Sequence, residues 1–196
     1  MAYPDMHHTA HHLPVALLLA TLATTPVVAS AQTLRPEFSE LSFTIRQMGV
    51  PVTGQFKRFS AQIQLDPKRP TDGRVAFTID TASAGFGAPE VDAEVPKPTW
   101  LAAANFPQAR FQSGAIRSLG GGRFEVAGQL TIKGTARDVV VPVSLVQAGT
   151  RTTATGAFAI KRLAFKVGEG EWSDTSMVAD EVTVRFKLAL DGLSPL

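Results

Sequence analysis

Apolar and polar residues alternate with a period of two over most of the chain from Glu40 onward. The alternation is clearest over residues 124–132 and 182–190, and residues 41–45 and 75–79 repeat it. Successive side chains of a strand point to opposite sides of the sheet, so this period predicts strands with one buried face. Further candidate strands lie at about residues 106–118, 138–147 and 153–167. The pattern therefore predicts an all-β fold of about eight strands.

Two of the predicted strands change phase partway along their length. Apolar side chains occupy even positions over residues 52–56 and odd positions over residues 59–65. An extra residue near Lys57 and Arg58 predicts a β-bulge at which one long strand bends. The same switch around Lys161 and Arg162 predicts a second bend. Two long bent strands favour a closed or nearly closed antiparallel barrel over a flat sheet.

The stretch from Gly85 to Asn105 interrupts the alternation. It contains Pro89, Pro96 and Pro98 and an alanine-rich end. We expect a short helical insertion at about residues 88–104, with one or two helices, the second of which begins at residue 98 or 99. The insertion is either a lid over one end of the barrel or a plug that covers the edges of the core.

The amino-terminal segment predicts export. Residues 13–22 form an apolar run, and residues 28–31 supply small side chains before Gln32. We expect a signal peptide over residues 1–31, cleaved after Ala31, a mature domain over residues 32–196 and a periplasmic location. The leader has no Lys or Arg, and translation starts at Met1 or Met6. The apolar run is shorter than the roughly 20 residues that span a bilayer, so we expect no transmembrane anchor in the mature chain.

The composition excludes most enzyme chemistry for the mature chain. There is no cysteine, and all four histidines lie within residues 7–12. Without thiol or imidazole, the mature chain has no Cys/His zinc site and no Ser-His-Asp or Cys-His centre. Its formal charge, +3 after Asp5 leaves with the leader, is spread along the chain and predicts no nucleic-acid partner. The loose acidic cluster around residues 169–181 lacks a calcium-loop pattern. We predict no catalytic residue, no metal and no cofactor.

The inward-facing positions of the strands define the candidate ligand-binding residues. They are mainly apolar and aromatic, and together with residues near the barrel ends they are Phe43, Ile45, Phe56, Phe77, Ile79, Trp100, Phe111, Phe124, Leu130, Val141, Phe158, Arg162, Phe165, Trp172, Val184 and Phe186. These side chains either fill the barrel or line a cavity for one elongated ligand. Gly54, Gly128 and Gly156 share the inward positions and either leave room there or form kinks. Trp100 and Trp172 either stack on a ligand or fill the core.

Arg162 is the polar residue that the pattern singles out. It continues the inward phase of Phe158 and Ile160. An unpaired guanidinium inside a barrel is costly. We therefore expect Arg162 to pair with a ligand headgroup or with Asp174 or Asp180, unless the change of phase turns it outward.

Five segments, in this order, resemble the YceI-like family of secreted lipid-binding proteins. They are residues 52–56, 63–67, 100–101 together with 105–111, 128–134 and 161–165, the last matching the family's Arg-x-x-Phe strand. The resemblance implies an extended, lipocalin-like antiparallel eight-stranded barrel with a short helical insertion. It also implies an exported, non-enzymatic carrier whose cavity binds a polyisoprenoid or similar long-chain amphiphile.

Residues 90–95 and 168–175 are similar to a branch of that family whose members accompany, or are fused to, a membrane cytochrome of the b561 type. This resemblance implies a quinone or its precursor as ligand and such a cytochrome as partner. A carboxylate-based lipid-processing enzyme and a structural β-barrel without ligand are the alternatives. The oligomeric state is open, and a homodimer is one outcome.

Overall fold

One antiparallel sheet forms most of the structure, a computed structural model that describes residues 32–196. The predicted signal peptide and its cleavage site lie outside the described residues. The ten strands are ordered β3-β4-β6-β7-β8-β9-β10-β1-β2-β5. They are β1 (Thr33–Gln47), β2 (Val50–Phe56), β3 (Phe59–Gln64), β4 (Arg74–Asp80), β5 (Ala84–Gly85), β6 (Gln108–Gly120), β7 (Arg123–Ile132), β8 (Thr135–Ala148), β9 (Arg151–Lys161) and β10 (Val178–Asp191).

The predicted bend at residues 57–58 separates β2 from β3. β2 pairs with β1, whereas β3 pairs with β4. At the bend, the Lys57 N–H donates to the Ser83 carbonyl (3.2 Å) and the Asp80 N–H donates to the Arg58 carbonyl (3.0 Å). One bent strand thus joins both ends of the sheet, which curls into a half-barrel. If β2 and β3 count as one strand and the two-residue β5 is left aside, the expected eight strands are confirmed.

Hydrogen bonds also join Gln32, just before β1, to β3 and the residue that follows it. The Gln32 N–H donates to the Ile63 carbonyl (3.0 Å), and the Gln32 side-chain oxygen accepts from the Leu65 N–H (2.7 Å). These bonds satisfy edge groups of β3 that would otherwise be exposed.

The second predicted bend is a turn, and the strand predicted over 153–167 ends early. β9 ends at Lys161 and is followed by a 3-10 turn, Arg162–Phe165. The Leu163 N–H donates to the Asp180 carboxylate (3.0 Å), and Lys166 adopts a left-handed φ of 59°. The turn buries both Arg162 and Phe165, which a continuing strand would place on opposite faces.

The helical insertion contains one helix, α1 (Pro89–Glu94). The second helix, expected from residue 98 or 99, does not form. Ala102 has a φ of +48°, outside the right-handed helical region, so a helix beginning at residue 98 or 99 could not continue past it. The chain makes successive turns instead, and the Ala102 N–H donates a hydrogen bond to the Lys97 carbonyl (2.9 Å).

A dry core occupies one end of the barrel. The cross-strand register places Leu34 beside Leu190 and Leu188 beside Ala154 at this end. The core side chains are Leu34, Ile63, Ile116, Phe124, Val126, Val141, Leu145, Ala154, Leu188, Leu190 and Leu193. None of the helices within residues 32–196 has the length and hydrophobicity needed to cross a lipid bilayer.

Candidate ligand-binding cavity

A cavity of about 490 Å³ lies at the end of the barrel away from the dry core. Here the register aligns Ile45 with Val182 and Val182 with Ile160. Inward side chains of β1, β2, β4, β7, β9 and β10 form the walls. α1 and the segment around Trp172 also line the cavity, which is predominantly apolar.

Most of the predicted ligand-binding residues line this cavity. They come from strands and connections that are distant in sequence: Phe43, Ile45, Phe56, Ile79, Trp100, Leu130, Phe158, Arg162, Phe165, Trp172 and Val184. The structure thus brings together the inward positions of strands that the alternation identified.

The structure places the remaining predicted residues outside the cavity. Phe124 and Val141 belong to the dry core, and Phe77, Phe111 and Phe186 pack against it. All five face inward but contact the core and not the cavity, although Phe111 pairs with the cavity residue Leu130. Alternation predicts the face of the sheet on which a side chain lies and not its height along the barrel.

The region around α1 supplies lining residues that alternation does not identify, namely Phe86, Ala88, Glu90, Val91, Glu94, Val95 and Leu101. Phe86 meets Phe43 edge-on, with ring centroids 5.2 Å apart, and Phe43 lies 5.1 Å from Phe56. The Asp92 carboxylate accepts from the Phe86 N–H (2.5 Å) and thereby ties α1 to this aromatic cluster. The insertion therefore contributes to the cavity wall.

Other lining residues follow the inward phase, so the alternation could have identified them as candidates. They are Leu41, Val52, Ala109, Ile132, Ile160, Val182 and, at or beyond the strand ends, Gln47, Thr81, Val167 and Val178. Most of them lie two residues from a predicted lining residue; Val52 and Val178 do not.

The inward glycines accommodate aromatic rings. A Cβ at Gly54 would lie 2.4 Å from the Phe43 ring, and one at Gly156 would lie 2.3 Å from the Phe186 ring. Gly54 pairs with Phe43, and Gly156 pairs with Phe186, across neighbouring strands. A ring laid over a cross-strand glycine covers its backbone. These glycines therefore position phenylalanines and do not by themselves create the cavity.

The cavity opens between the β1–β2 hairpin and α1. Three lining residues are exposed to solvent, Gln47 on β1 and Glu90 and Val91 on α1, whereas the other lining residues are buried or half-buried.

Arg162 is 1% exposed, and all of its donors are used. A guanidinium has five N–H donors. Nε donates to the carbonyl of Ala179 (3.0 Å), Nη1 to those of Val167 (3.0 Å) and Gly168 (2.9 Å), and Nη2 to those of Trp172 (2.6 Å) and Val178 (2.7 Å). Burial lowers the pKa of Arg162, and the negative charge of Asp180 partly offsets this effect.

The inward orientation of Arg162 agrees with its phase, but the expected partners are wrong. Asp180 accepts from the Leu163 N–H, and Asp174 accepts from Ser176 at 2.7 Å and 2.9 Å. Because backbone carbonyls occupy every donor, the guanidinium has none left for a ligand headgroup. Arg162 is instead an anchor that holds the segment from Val167 to Ala179 against the end of β9.

Trp100 and Trp172 meet beside this anchor. Their ring centroids lie 5.5 Å apart, and the Arg162 guanidinium carbon lies 5.8 Å from the centroid of Trp100. Gly168, with a φ of +76°, passes so close that a Cβ there would lie 2.2 Å from Arg162 Nη1. Both tryptophans also line the cavity, so they form its wall at this end.

An ion pair joins the β7–β8 turn to the segment that follows β9. Lys133 Nζ donates to the Lys166 carbonyl (2.7 Å) and to the Glu169 carboxylate (2.8 Å). This hydrogen bond lowers the pKa of Glu169. No group of acidic side chains within residues 32–196 is arranged to hold a metal ion.

A second depression, of about 600 Å³, is lined by residues of β1 and β6–β10, Phe124 and Phe186 among them. Its lining includes Glu40, Arg123, Arg185 and Lys187, all exposed to solvent. Charged side chains on an open surface do not suit a long apolar chain, so the internal cavity is the candidate site.

The fold and the cavity define an all-β half-barrel with one elongated apolar chamber. The chain belongs to the YceI-like domain family, whose family model matches residues 32–190. It is 45% identical to BcnA of Burkholderia cenocepacia, with a TM-score of 0.77 over 80% of this chain and 98% of that one.

Two more distant proteins extend the comparison. A domain from Saccharophagus degradans, described as polyisoprenoid-binding and implicated in plant cell wall breakdown, is 17% identical, with a TM-score of 0.68 over 83% of this chain and 98% of that one. A UPF0312 protein of Shewanella denitrificans is 27% identical over 142 residues, which are 70% of this chain and 74% of that protein. The family and the fold expected from the sequence are thereby confirmed.

Proposed function

We propose that this chain is an exported, non-enzymatic carrier that binds a polyisoprenoid or a similar long-chain amphiphile in the cavity. The observation that carries the proposal is the cavity itself, an apolar space of about 490 Å³ beside a filled core. Small-molecule pockets have volumes of about 300–1,000 Å³. The description of the Saccharophagus degradans domain as polyisoprenoid-binding supports this class of ligand.

The volume sets the length of chain that the cavity can enclose. At roughly 30 Å³ for each water-sized group, 490 Å³ corresponds to about 16 non-hydrogen atoms, the size of farnesol. Burying that chain at about 0.8 kcal/mol per CH₂ provides roughly 12 kcal/mol. An association cost of about 4 kcal/mol, the low end of the usual range, leaves about 8 kcal/mol, which corresponds to an affinity in the micromolar range. Isoprene units beyond this length extend through the mouth into solvent, so each of them adds less to the binding free energy.

The polar lining supports binding over turnover. Among the described residues, Gln47, Thr81, Glu90, Glu94 and Arg162 are the polar side chains that line the cavity. The Thr81 hydroxyl donates to the Phe106 carbonyl (2.8 Å), and the Arg162 donors are likewise used. Glu90, Glu94 and Gln47 lie at or near the mouth, away from the space that the apolar chain of the ligand would occupy.

The ligand is tested on protein purified from its original host. Native mass spectrometry and lipid extraction should find a bound long-chain amphiphile, and stripped protein should bind farnesol in calorimetric titration. Val52→Trp, which fills part of the cavity, should weaken binding by at least about tenfold, since a filled pocket excludes the chain. Gln55→Trp, on the outer face of the same strand, is the matched control. An empty native cavity together with no binding of farnesol would refute the proposal.

Export is a further part of the proposal and is supported by the apolar run at residues 13–22 and the small residues before Gln32. Amino-terminal sequencing of protein from the periplasmic fraction should begin at Gln32. Retention of Met1 or Met6 would contradict cleavage after Ala31.

The similarity of residues 90–95 and 168–175 to the cytochrome-associated branch supports a quinone-like ligand and a b561-type membrane cytochrome as partner. Co-purification from solubilised host membranes should recover a haem protein in the native strain. Sedimentation of the purified protein at increasing concentration distinguishes a homodimer from a monomer.

A further inference from the structure

The charges around the cavity restrict the polar end of its ligand. Within the described residues, Arg162 is the one basic side chain that lines the cavity, and its five donors are bound to backbone carbonyls. No lining cation is therefore available to a phosphate, which proteins bind through Arg, Lys and N–H donors.

The mouth carries negative charge. Glu90 and Glu94 lie one turn apart on α1 and both line the cavity. Lys97, the nearest base along the chain, forms an ion pair with Glu94, whereas Glu90 makes no ion pair within the described structure. Gln47, the other exposed polar side chain of the lining, is uncharged and both donates and accepts hydrogen bonds.

We propose that the cavity selects an amphiphile whose polar end carries no negative charge, such as a long-chain alcohol, and disfavours the diphosphate ester of the same chain. This proposal rests on the proposed function, because it concerns the head of a ligand whose tail fills the cavity. A hydroxyl donates to the Glu90 carboxylate or to the Gln47 amide oxygen. A diphosphate at the same place would bring several negative charges beside Glu90, which has no ion pair within the described structure, and beside Glu94, which Lys97 neutralises only in part; apolar walls on one side weaken solvent screening.

Farnesol and farnesyl diphosphate are matched probes, because they share one tail and differ only in the head. Trp100 and Trp172 are the two tryptophans of the chain and both line the cavity, so their fluorescence reports occupancy. We expect farnesol to bind at least about tenfold more tightly than farnesyl diphosphate at low ionic strength, and salt to reduce the difference by screening.

Two double variants assign this preference to the mouth. Glu90→Gln with Glu94→Gln removes both negative charges and should bring the affinities for the two probes within about threefold, mainly because farnesyl diphosphate binds more tightly. Glu37→Gln with Glu40→Gln is the control, because it makes the same change in net charge at exposed positions of β1 that do not line the cavity. The preference should persist in this control.

The outcomes separate the two proposals. Equal or tighter binding of farnesyl diphosphate, or a preference that survives in the Glu90/Glu94 variant, would overturn the selection while leaving the carrier function in place. Failure of both probes to bind would overturn the carrier function, and the selection would fall with it.

Discussion

Replacing Arg162 tests whether this side chain is a structural anchor or part of a binding site. Arg162→Met keeps the length of the aliphatic chain and removes five hydrogen bonds to backbone carbonyls. A net value of about 1 kcal/mol for each bond gives a loss of about 5 kcal/mol, and rehydration of carbonyls near the cavity reduces it to about 3–5 kcal/mol. For a domain of about 10 kcal/mol, the middle of the usual range, that loss is about a third to a half of the free energy of unfolding.

Arg162→Lys gives the second point of the comparison. An ammonium has three donors, so at least two of the five carbonyls lose their partner, and we expect a loss of about 2 kcal/mol or more. Arg185→Met is the control, because Arg185 is exposed and makes a single long hydrogen bond to Thr44 (3.4 Å). Urea unfolding, followed by circular dichroism, measures the free energy of unfolding of each variant.

The order of stability expected is wild type and Arg185→Met together, then Arg162→Lys, then Arg162→Met. A loss below about 1 kcal/mol for Arg162→Met would refute the anchor, since buried carbonyls without partners cost more than that. Normal stability of Arg162→Lys with loss of farnesol binding would instead identify Arg162 as a ligand contact.

Three further predictions follow from individual contacts. Gly168→Ala should destabilise by about 2–4 kcal/mol in urea unfolding, because its Cβ would collide with Arg162; Gly170→Ala, at a similar positive φ in open space, should cost only about 1 kcal/mol. Thr152 is 0% exposed and its hydroxyl has no hydrogen-bond partner within the described structure, so Thr152→Val should raise the free energy of unfolding by about 1 kcal/mol; a lower value would contradict this. The hydrogen bond from Lys133 lowers the pKa of Glu169. The ion pair therefore adds to the free energy of unfolding above the pKa of Glu169 in the unfolded state, and this stabilisation is lost as the pH falls through the pKa of Glu169 in the folded state. Lowering the pH should therefore reduce the free energy of unfolding of the wild type more than that of Glu169→Gln. The same pH dependence of unfolding in both proteins would exclude a stabilising ion pair between Lys133 and Glu169.

The strands were predictable because each buries one face. The alternation at residues 124–132 and 182–190 corresponds to β7 and β10. The change of phase at residues 57–58 predicted the bend, because a continuous strand would turn its apolar side chains to solvent there. Burial against a common core imposes the same period on every strand, and that constraint is visible without the structure.

The depth of a side chain along the barrel was not predictable. Phe124 and Leu130 lie on the same face of β7, yet Phe124 belongs to the dry core and Leu130 lines the cavity. The distinction depends on the stagger of neighbouring strands, which no single strand encodes. The contribution of α1 was likewise hidden, because a helix of six residues has no clear apolar period.

The change of phase left the orientation of Arg162 open between inward and outward, and its partners were not predictable. The acceptors are main-chain carbonyls, most of them in a connection without regular structure. Every residue has such a carbonyl, so the amino-acid sequence does not show which ones accept. A search for a matching carboxylate therefore pointed to Asp174 and Asp180, although the charge is satisfied by peptide groups.

The use of peptide carbonyls around Arg162 separates the stability of this region from the identity of its side chains. Val167, Trp172 and Val178 each present a carbonyl to Arg162 and a side chain to the cavity. Every amino acid carries the same carbonyl, so these three positions can be exchanged for larger, smaller or more polar residues while the guanidinium keeps its acceptors. Reshaping the chamber for a different cargo is therefore open to substitution at these positions, both in natural divergence and in the laboratory.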